Sequence, residues 1–325
     1  METLVKRRTF IASATAAAVL PAFPTFAALS QAKMFVGYPA GTATDALARL
    51  LGERMRNDYA ANFVVENRVG ASGQLAVLAT KSSPPDGATI LVSPIMVMSV
   101  VPHTFAKVGY DPFVDVIPVG NSVTTDFALA VGPAVPESVT TVQQFIAWCK
   151  ANPSKASFGT GATGTKIHFS GVKLGQLAGF DFSHVGYTNG GGALTDLAGG
   201  NITSYIGTVP TVMPFLNRIR VIATMGAKRS RFLPNVPTLQ EAGFKDMVIN
   251  EAISMYLPAK TPQEQVARLN SAMVKALATP EALATLNTLG MEATPSGQAE
   301  FAALLKQEHA EWGRFVKQIG FKQDT

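Results

Sequence analysis

The stretch Gly37-Tyr38-Pro39-Ala40-Gly41-Thr42-Ala43-Thr44-Asp45, hereafter loop one, joins a short apolar strand to an amphipathic helix. Met34-Phe35-Val36 precedes it, and leucine and methionine side chains then recur at helical spacing as far as Arg56. A strand-to-helix loop of glycine, proline and small residues leaves backbone N–H groups unpaired where the helix begins. Together with the helix dipole these groups attract an anion, so loop one predicts an anion site that needs no lysine or arginine. The simpler alternative is an ordinary turn with Thr44 or Asp45 as the helix N-cap.

The same kind of loop recurs at three further strand ends. Loop two is Glu66–Gly73, loop three is Gly159–Thr165 and loop four is Thr188–Gly192. Strands that alternate with helices in this way predict an α/β fold with largely parallel sheets. Because ligands in such folds bind at the carboxyl ends of strands, the four loops indicate one ligand-binding edge.

Loop three also matches a dinucleotide-binding fingerprint, Gly159-x-Gly161-x-x-Gly164. Asp181 follows at about the spacing of a ribose-binding acid, but it opens a strand where that acid should close one. The histidines are far apart and lack the spacing of metal ligands, so we expect neither a cofactor nor a metal. No Gly-x-Ser-x-Gly motif occurs. An enzyme on the same scaffold remains an alternative, with His168 and Asp196 as its only candidate acid–base groups.

The composition is that of a chain with a large buried core. Of its 325 residues, 47% are hydrophobic and only 15% are charged, and the length suggests about two domains. No basic stripe with interleaved aromatic residues appears, so we expect no nucleic-acid partner. The single cysteine, Cys149, excludes an internal disulfide and lies in the pattern of a buried helix face.

The N-terminus has the order of a secretory signal. Lys6-Arg7-Arg8-Thr9-Phe10-Ile11 precedes the mildly apolar stretch Ala12–Leu20, and Thr25-Phe26-Ala27 offers small residues at a cleavage site. We therefore predict a signal peptide over residues 1–27, cleaved near Ala27, and a periplasmic protein. The arginine pair resembles a twin-arginine signal, and a general secretory signal is the alternative. Cleavage removes three basic residues and one acidic residue, which lowers the net charge from +5 to +3.

A series of short motifs, each weak alone, follows in one order along the chain. The motifs are Tyr38–Asp45 with Ala48-Arg49, Glu66-Asn67-Arg68-x-Gly70-Ala71-x-Gly73, Pro85-Asp86-Gly87, Gly161-x-x-Gly164-x-x-x-His168, His184-Val185-x-Tyr187, Ala193-Leu194-Thr195-Asp196-Leu197-x-Gly199-Gly200, Ala227-Lys228-Arg229-Ser230, Leu233-Pro234-x-Val236-Pro237-Thr238, Glu241-Ala242-Gly243 and Leu257-Pro258-Ala259-x-Thr261-Pro262. As an ordered set over essentially the whole mature chain, they resemble the solute receptors of tripartite tricarboxylate transporters, the Bug family.

The resemblance implies an α/β type II periplasmic binding-protein fold, in which two α/β lobes joined by two crossover segments enclose a ligand cleft. Lobe 1 would comprise residues 28–127 plus 250–325, and lobe 2 residues 128–249. It further implies a non-enzymatic, monomeric extracytoplasmic receptor for a mono-, di- or tricarboxylate, aromatic acids and amino acids included. Such a receptor delivers its ligand to integral membrane subunits of a transporter. The alternative is a periplasmic sensor that presents the ligand-bound form to a signalling kinase.

In this family loop one and loop three hold a ligand carboxylate through backbone N–H groups, hydroxyls and ordered water. The resemblance makes Thr42, Thr44, Thr163 and Thr165 the expected hydroxyl donors. The full set of expected ligand-binding residues is Tyr38, Ala40, Gly41, Thr42, Ala43, Thr44, Asp45, Ser93, Gly161, Ala162, Thr163, Gly164, Thr165, His168, Tyr187, Gly207 and Thr208.

The chain departs from the family pattern at several of these positions. Ala40 and Thr42 replace a proline and a glycine of loop one, and Gly186-Tyr187-Thr188 lacks the lysine of the family's Pro-Tyr-Lys. Gly207-Thr208 stands where the family has Asp-Asn. Because the distal half of the pocket is not typical, the relatives do not give the ligand, and Thr42 is the loop-one residue expected to set this chain apart.

Overall fold

The computed structural model describes residues 29–323, so the predicted signal peptide lies outside the described residues. The strands are β1 Leu29–Val36, β2 Ala60–Asn67, β3 Thr89–Pro94, β4 Val116–Val131, β5 Ser157–Thr160, β6 Ser183–Gly186, β7 Ser204–Thr208, β8 Arg220–Thr224, β9 Asn250–Pro258 and β10 Glu292–Ala293. The α-helices are α1 Ala43–Arg54, α2 Gln74–Lys81, α3 Met96–Ser99, α4 Val101–Thr104, α5 Val142–Ala151, α6 Lys166–Ala178, α7 Gly190–Ala198, α8 Val209–Val212, α9 Gln263–Leu277, α10 Pro280–Thr288 and α11 Gln298–Ile319.

The strands lie in the order β2-β1-β3-β9-β4-β7-β5-β6, with β8 and β10 paired to β4 outside this path. β1 is parallel to β2 and β3, and β5 is parallel to β6 and β7. β9 is antiparallel to both β3 and β4, and β4 is antiparallel to β7 and β8. Parallel strands that follow one another with helices between them agree with the expected α/β class. The expectation of largely parallel sheets is wrong, because β4 and β9, which carry the chain between the lobes, are antiparallel to their neighbours.

Strand β4 carries the chain from one group of strands to the other. From Val116 to Asp126 it pairs with β9, and from Phe127 to Val131 it pairs with β7. Strand β9 leads back, since its first residue Asn250 pairs with Asp126. We call the part with β1, β2, β3, β9 and β10 the first lobe, and the part with β5 to β8 the second lobe. Two lobes joined by two crossover segments confirm the predicted architecture, and the predicted lobe boundaries stay a prediction.

Each lobe packs helices on both faces of its strands. In the first lobe, α1, α9 and α10 cover one face, and α2, α3 and α11 cover the other. In the second lobe, α5 and α6 cover one face, and α7 and α8 the other. Phe169 of α6 is fully buried in the first lobe's core, where its ring packs against Phe315 and Phe321, so α6 also packs across the junction of the lobes.

Two glycine–threonine pairs start the helices that follow loops one and three. Thr42 is the N-cap of α1 and Thr165 is the N-cap of α6. Gly41 and Gly164 precede them with φ of +83° and +73°, which is the left-handed region that glycine adopts without strain. The prediction of Thr44 or Asp45 as N-cap is therefore wrong, because the left-handed glycine turns the chain two residues earlier.

Candidate ligand-binding site

Loop one is held in shape by Asp45, whose carboxylate reaches back over the turn. It accepts from the Gly41 amide at 2.9 Å and from the Asn67 side chain at 2.9 Å. Arg49 donates to both carboxylate oxygens at 3.0 Å. Burial alone would raise the pKa of Asp45, but the bonds from Arg49, Gly41 and Asn67 lower it below the usual value. Asp45 therefore shapes the loop as an ionised group whose oxygens already have donors.

The start of α1 leaves backbone donors open. The amides of Ala43 and Thr44 meet no backbone acceptor within residues 29–323, and Pro39 and Ala40 are exposed, so the turn faces solvent. The Thr42 hydroxyl donates to the Pro39 carbonyl at 2.8 Å. Its proton is thus used inside the loop, and donation of this hydroxyl to a ligand stays a prediction. The Thr44 hydroxyl has no such internal bond among the described residues.

Two residues predicted to contact ligand, Tyr38 and Ser93, have buried hydroxyls, and their ligand contact stays a prediction. The Tyr38 hydroxyl is buried with no hydrogen-bond partner within the described chain, and burial raises its pKa far above the usual value. Ser93 is buried, and its hydroxyl donates to the neighbouring Pro94 carbonyl at 3.2 Å. These two side chains support the protein side of loop one and offer no exposed donor.

In loop three the Ala162 carbonyl accepts hydrogen bonds within the loop, whereas two backbone amides have no backbone acceptor. The Ala162 carbonyl accepts from the Thr165 hydroxyl at 2.9 Å and from the Thr160 hydroxyl at 3.2 Å. The amides of Ala162 and Thr163 meet no backbone acceptor in the described range 29–323. The proton of Thr165, like that of Thr42, is therefore used inside its loop, whereas the Thr163 hydroxyl makes no internal bond there.

His168 supports loop three from the first turn of α6. Its Nδ1 accepts from the Gly164 amide at 3.2 Å, which requires a ring nitrogen without a proton. Its ring packs on His184 with 3.8 Å between centroids, and Nε2 of His184 lies 2.7 Å from the Thr160 hydroxyl. Burial, with His184 beside it, lowers the pKa of His168 to about 3, and burial lowers that of His184 to about 4. Both rings are neutral near pH 7 and act as supports.

Loop four packs on loop three through glycine. A side chain at Gly161 would come within 2.5 Å of the Gly190 amide nitrogen, so the two loops touch through backbone. The Tyr187 hydroxyl donates to Asp196 at 2.8 Å, so its proton also serves an internal bond.

Gly207 and Thr208 close β7 in the second lobe. A side chain at Gly207 would lie 2.3 Å from the Tyr205 hydroxyl, and the Thr208 hydroxyl bonds that of Thr211 at 2.8 Å. No backbone hydrogen bond between described residues joins loop one to loop three or to this strand end. The structure thus assembles the expected residues as two groups, one on each lobe.

The two residues considered for catalysis do not form a pair. Nδ1 of His168 is occupied by the Gly164 amide. The Asp196 carboxylate accepts from Tyr187 and from Asn201 at 3.1 Å. Each residue has a local structural partner, so the geometry offers no linked acid and base.

Sequence reasoning missed a buried ion cluster next to loop three. Nζ of Lys166, the first residue of α6, lies 2.7 Å from Glu308 and 3.8 Å from Glu251. Two signals could have revealed it. A lysine in the first turn of a helix stands where the dipole disfavours a cation, and Glu251 is an acidic residue directly before the mostly apolar stretch Ala252–Pro258.

Two cavities lie away from loop one and loop three. A cavity of about 160 Å³ separates α6 from α11 and is lined by Lys166, Glu308 and Trp312 among others. A wider hollow of about 530 Å³ lies beside α6 and β6. Neither is lined by loop one or loop three, so the site is located by its open backbone donors and not by the size of a cavity.

The described residues contain neither a candidate metal site nor a candidate membrane span. Within 29–323, no group of three or more histidine, cysteine, aspartate or glutamate residues is placed to hold a metal ion. None of the helices in that range combines the length and apolar character needed to cross a membrane.

Known proteins resemble this chain in sequence and in fold. The family model described as "Tripartite tricarboxylate transporter family receptor" matches residues 47–321. The "UPF0065 protein in gbd 5′region" of Cupriavidus necator is 32% identical, over 93% of this chain and 94% of the relative. Among solved structures, R. palustris Rpa4515 with adipate is 28% identical with a TM-score of 0.83, over 90% of this chain and 98% of the other. The periplasmic binding protein BugD is 26% identical with a TM-score of 0.79, over 90% and 99%.

Proposed function

The chain belongs to the tripartite tricarboxylate transporter receptor family, and we propose that it is an exported receptor that closes its two lobes on a small carboxylate. The family resemblance seen in the sequence is thus confirmed, as is the periplasmic binding-protein architecture. The family is one of substrate-binding receptors, and a receptor needs no linked acid and base. The paired internal bonds of His168 and Asp196 are consistent with that role.

The observation that carries the proposal is the pair of open helix starts, one on each lobe. At the start of α1 and in loop three, amides lack a backbone acceptor among the described residues. A carboxylate held by both lobes at once would favour the closed form, because only that form makes both sets of bonds. A micromolar ligand needs about 8 kcal/mol, and a few hydrogen bonds to a charged group supply about 1.5–3 kcal/mol each.

A dicarboxylate is the first ligand class to test. Rpa4515, which covers 90% of this chain at 28% identity, was solved with adipate. The Thr44 and Thr163 hydroxyls, which make no bond inside their loops, would add donors at the two helix starts. The departures at Gly186-Tyr187-Thr188 and Gly207-Thr208 argue that the distal end of the ligand differs from that of typical relatives.

Proline substitutions at two helix starts test directly whether backbone amides bind the carboxylate. Ala43→Pro removes one open amide of α1 at the first helical position, where proline fits the helix. The preceding Thr42 has φ −74° and ψ 163°, which a residue before proline accepts. Gln298→Pro is the matched control, because Gln298 starts α11 behind Gly297, which has φ −72° and ψ 163°.

Adipate binding, measured by titration calorimetry and thermal shift, is the measurement. We expect Ala43→Pro to weaken binding about tenfold or more, the loss of one charge-assisted bond of about 1.5–3 kcal/mol. Gln298→Pro should bind as the wild type does. The proposal is wrong if no mono-, di- or tricarboxylate stabilises the wild type, or if both proline variants weaken binding equally.

Delivery to membrane subunits is the finer part of the proposal. It is supported by the family to which the chain belongs and by the signal-like N-terminus. Cells that lack this gene should lose uptake of the identified ligand, and the wild-type gene should restore it. The Ala43→Pro gene should restore uptake only at raised ligand concentration. Uptake that persists without the gene would contradict the delivery role while leaving ligand binding intact.

A further inference from the structure

Lys166 ties the start of α6 to the first lobe. Its side chain is 1% exposed, and Nζ lies 2.7 Å from Oε2 of Glu308 and 3.8 Å from Oε1 of Glu251. Nζ also donates to the Asn250 carbonyl at 3.2 Å. Because Lys166 directly follows the N-cap Thr165, these contacts fix the position at which loop three enters the helix.

The two carboxylates are themselves anchored in the first lobe. Oε1 of Glu251, on β9, accepts from the amide of Met96, which starts α3 just after β3. Oε2 of Glu308, on α11, accepts from the Ser99 hydroxyl at 3.1 Å. The cluster therefore joins α3, β9 and α11 of the first lobe to α6 of the second.

One ammonium group faces two carboxylates in this buried setting. With both carboxylates ionised, the cluster carries one net negative charge, which a low-dielectric environment disfavours. Burial raises the pKa of Glu251 to about 7 against the opposing effect of Lys166, and Glu308 adds to the rise. The Tyr38 hydroxyl faces Glu251, the Tyr256 hydroxyl faces both carboxylates, and Lys173 and Glu311 line the same cavity as Glu308. Neither hydroxyl supplies a positive charge.

Water and protons have a path to the cluster. The cavity of about 160 Å³ between α6 and α11 is lined by Lys166 and Glu308. Lys173 and Glu311 line it too, and Lys173 donates to the Asp246 carbonyl at 2.6 Å. Proton exchange with solvent therefore does not require unfolding.

We propose that Lys166, Glu251 and Glu308 form an inter-lobe ion lock that positions the start of α6 and takes up a proton when a carboxylate binds at loop three. The second half rests on the proposed function. A ligand anion at the start of α6 adds negative charge beside a cluster that already has an excess of it. A like charge nearby favours the protonated form of a carboxyl group, so ligand and proton bind together.

The lock is tested without ligand, by thermal unfolding at pH 5.5 and pH 8.5. Lys166→Met leaves the Glu251 and Glu308 carboxylates without this cation, so its loss of Tm should be larger at pH 8.5, above the pKa of about 7 of the buried Glu251. Lys173→Met is the matched control, from the same helix and the same cavity, and its shift in Tm should be small and equal at both pH values. The double variant Lys166→Met/Glu308→Gln should recover part of the loss at pH 8.5.

Glu251→Gln keeps the lock testable if Lys166→Met fails to fold. Glutamine retains an oxygen for the Met96 amide and leaves one carboxylate for one ammonium. Because the pKa of Glu251 is raised, its contribution to stability falls between pH 5.5 and pH 8.5. Glu251→Gln removes this fall, so the Tm of the variant at pH 8.5, relative to its Tm at pH 5.5, should be higher than in the wild type. Equal behaviour of Lys166→Met and Lys173→Met, or an unchanged pH difference in Glu251→Gln, would overturn the lock.

Proton uptake is measured by calorimetric titration with adipate at pH 7 in two buffers of different ionisation enthalpy. The wild type should take up a measurable fraction of a proton per adipate bound, and Glu251→Gln should take up none. Equal uptake by both would overturn the coupling. If adipate and the other carboxylates fail to bind the wild type, the proposed function and the coupling fall together, while the Tm comparison still decides the lock.

Discussion

Loop one and loop three share one five-residue plan but use different acceptors. Gly41-Thr42 and Gly164-Thr165 each pair a left-handed glycine with a threonine N-cap. In both, the threonine hydroxyl donates to the carbonyl three residues earlier, and the glycine amide donates to a side chain four residues later. That side chain is Asp45 in loop one and His168 in loop three.

The difference shows that the same backbone turn can be held by an ion or by a neutral ring. The charge of Asp45 is balanced by Arg49, which is bonded to both of its oxygens. His168 is neutral and packs on His184. Neither loop therefore presents a strong net charge to a ligand, and the open donors are backbone amides in both. The two supports should, however, respond to acid at different pH values.

Acid should weaken loop three long before loop one, and this is the largest effect that we expect. The pKa of His168 in the folded chain is about 3, against an ordinary value of 6.5. Its contribution to stability is complete above pH 6.5 and is lost as the pH falls, because the unfolded chain takes up the proton first. From His168 alone we expect a loss of about 1.4 kcal/mol per pH unit, or about 3 kcal/mol at pH 4, and His184, with its pKa lowered to about 4, adds a similar loss. Urea unfolding from pH 7.5 to pH 4 measures it.

Two substitutions test whether His168 causes this dependence of stability on pH. His168→Gln keeps an acceptor for the Gly164 amide but does not titrate, so its stability should change less between pH 6.5 and pH 4. Asp45→Asn should keep the wild-type slope there. The lowered pKa of Asp45 means that its contribution is lost only as the pH falls below its ordinary value of 3.8. A full wild-type slope in His168→Gln would show that another group carries the acid response.

The two glycines should differ in their tolerance of a methyl group. A side chain at Gly164 would lie 2.7 Å from Oε1 of Gln323 and 3.3 Å from the Phe321 ring, whereas Gly41 has nothing within 4 Å. Gly41→Ala should cost only the left-handed conformation, about 1 kcal/mol. Gly164→Ala should cost about 2–3 kcal/mol, because the C-terminal segment must also move. Urea unfolding at pH 7.5 compares the two variants. Equal losses in the free energy of unfolding would mean that the C-terminal segment moves without destabilising the protein.

The two loops and the helices that follow them could be predicted from the sequence. Glycine, threonine and the apolar period predicted both loops and the helices after them, because these signals act within a few residues. The N-cap of α1 was misplaced by two or three residues, because the bond from Gly41 to Asp45 depends on a turn whose geometry the sequence does not state. No local pattern marks the position at which β4 changes from pairing with β9 to pairing with β7, although the resemblance implies that a crossover exists.

The ion lock could not be derived from the sequence alone. Lys166 and Glu308 are 142 positions apart in the chain and meet only because α6 packs against α11. The internal bond of Tyr187 to Asp196 spans only nine positions, and those of Thr42 and Thr165 span three. Local patterns thus predicted where donors lie, but which donors are already used depends on side-chain geometry that such patterns do not state.

The two threonines give the smallest and most selective comparison. Thr165 is fully buried and Thr42 is half-buried, so the bond that Thr165→Ala removes should be worth about 1 kcal/mol and that of Thr42→Ala about 0.5 kcal/mol. The loss of stability in Thr165→Ala is limited because the Ala162 carbonyl still accepts a hydrogen bond from the Thr160 hydroxyl. Because both protons serve their own loops, Thr42→Ala should change the adipate Kd by less than about threefold, under about 0.7 kcal/mol. A tenfold loss of affinity with unchanged stability would mean that the Thr42 hydroxyl leaves the Pro39 carbonyl for the ligand, as the sequence alone suggested.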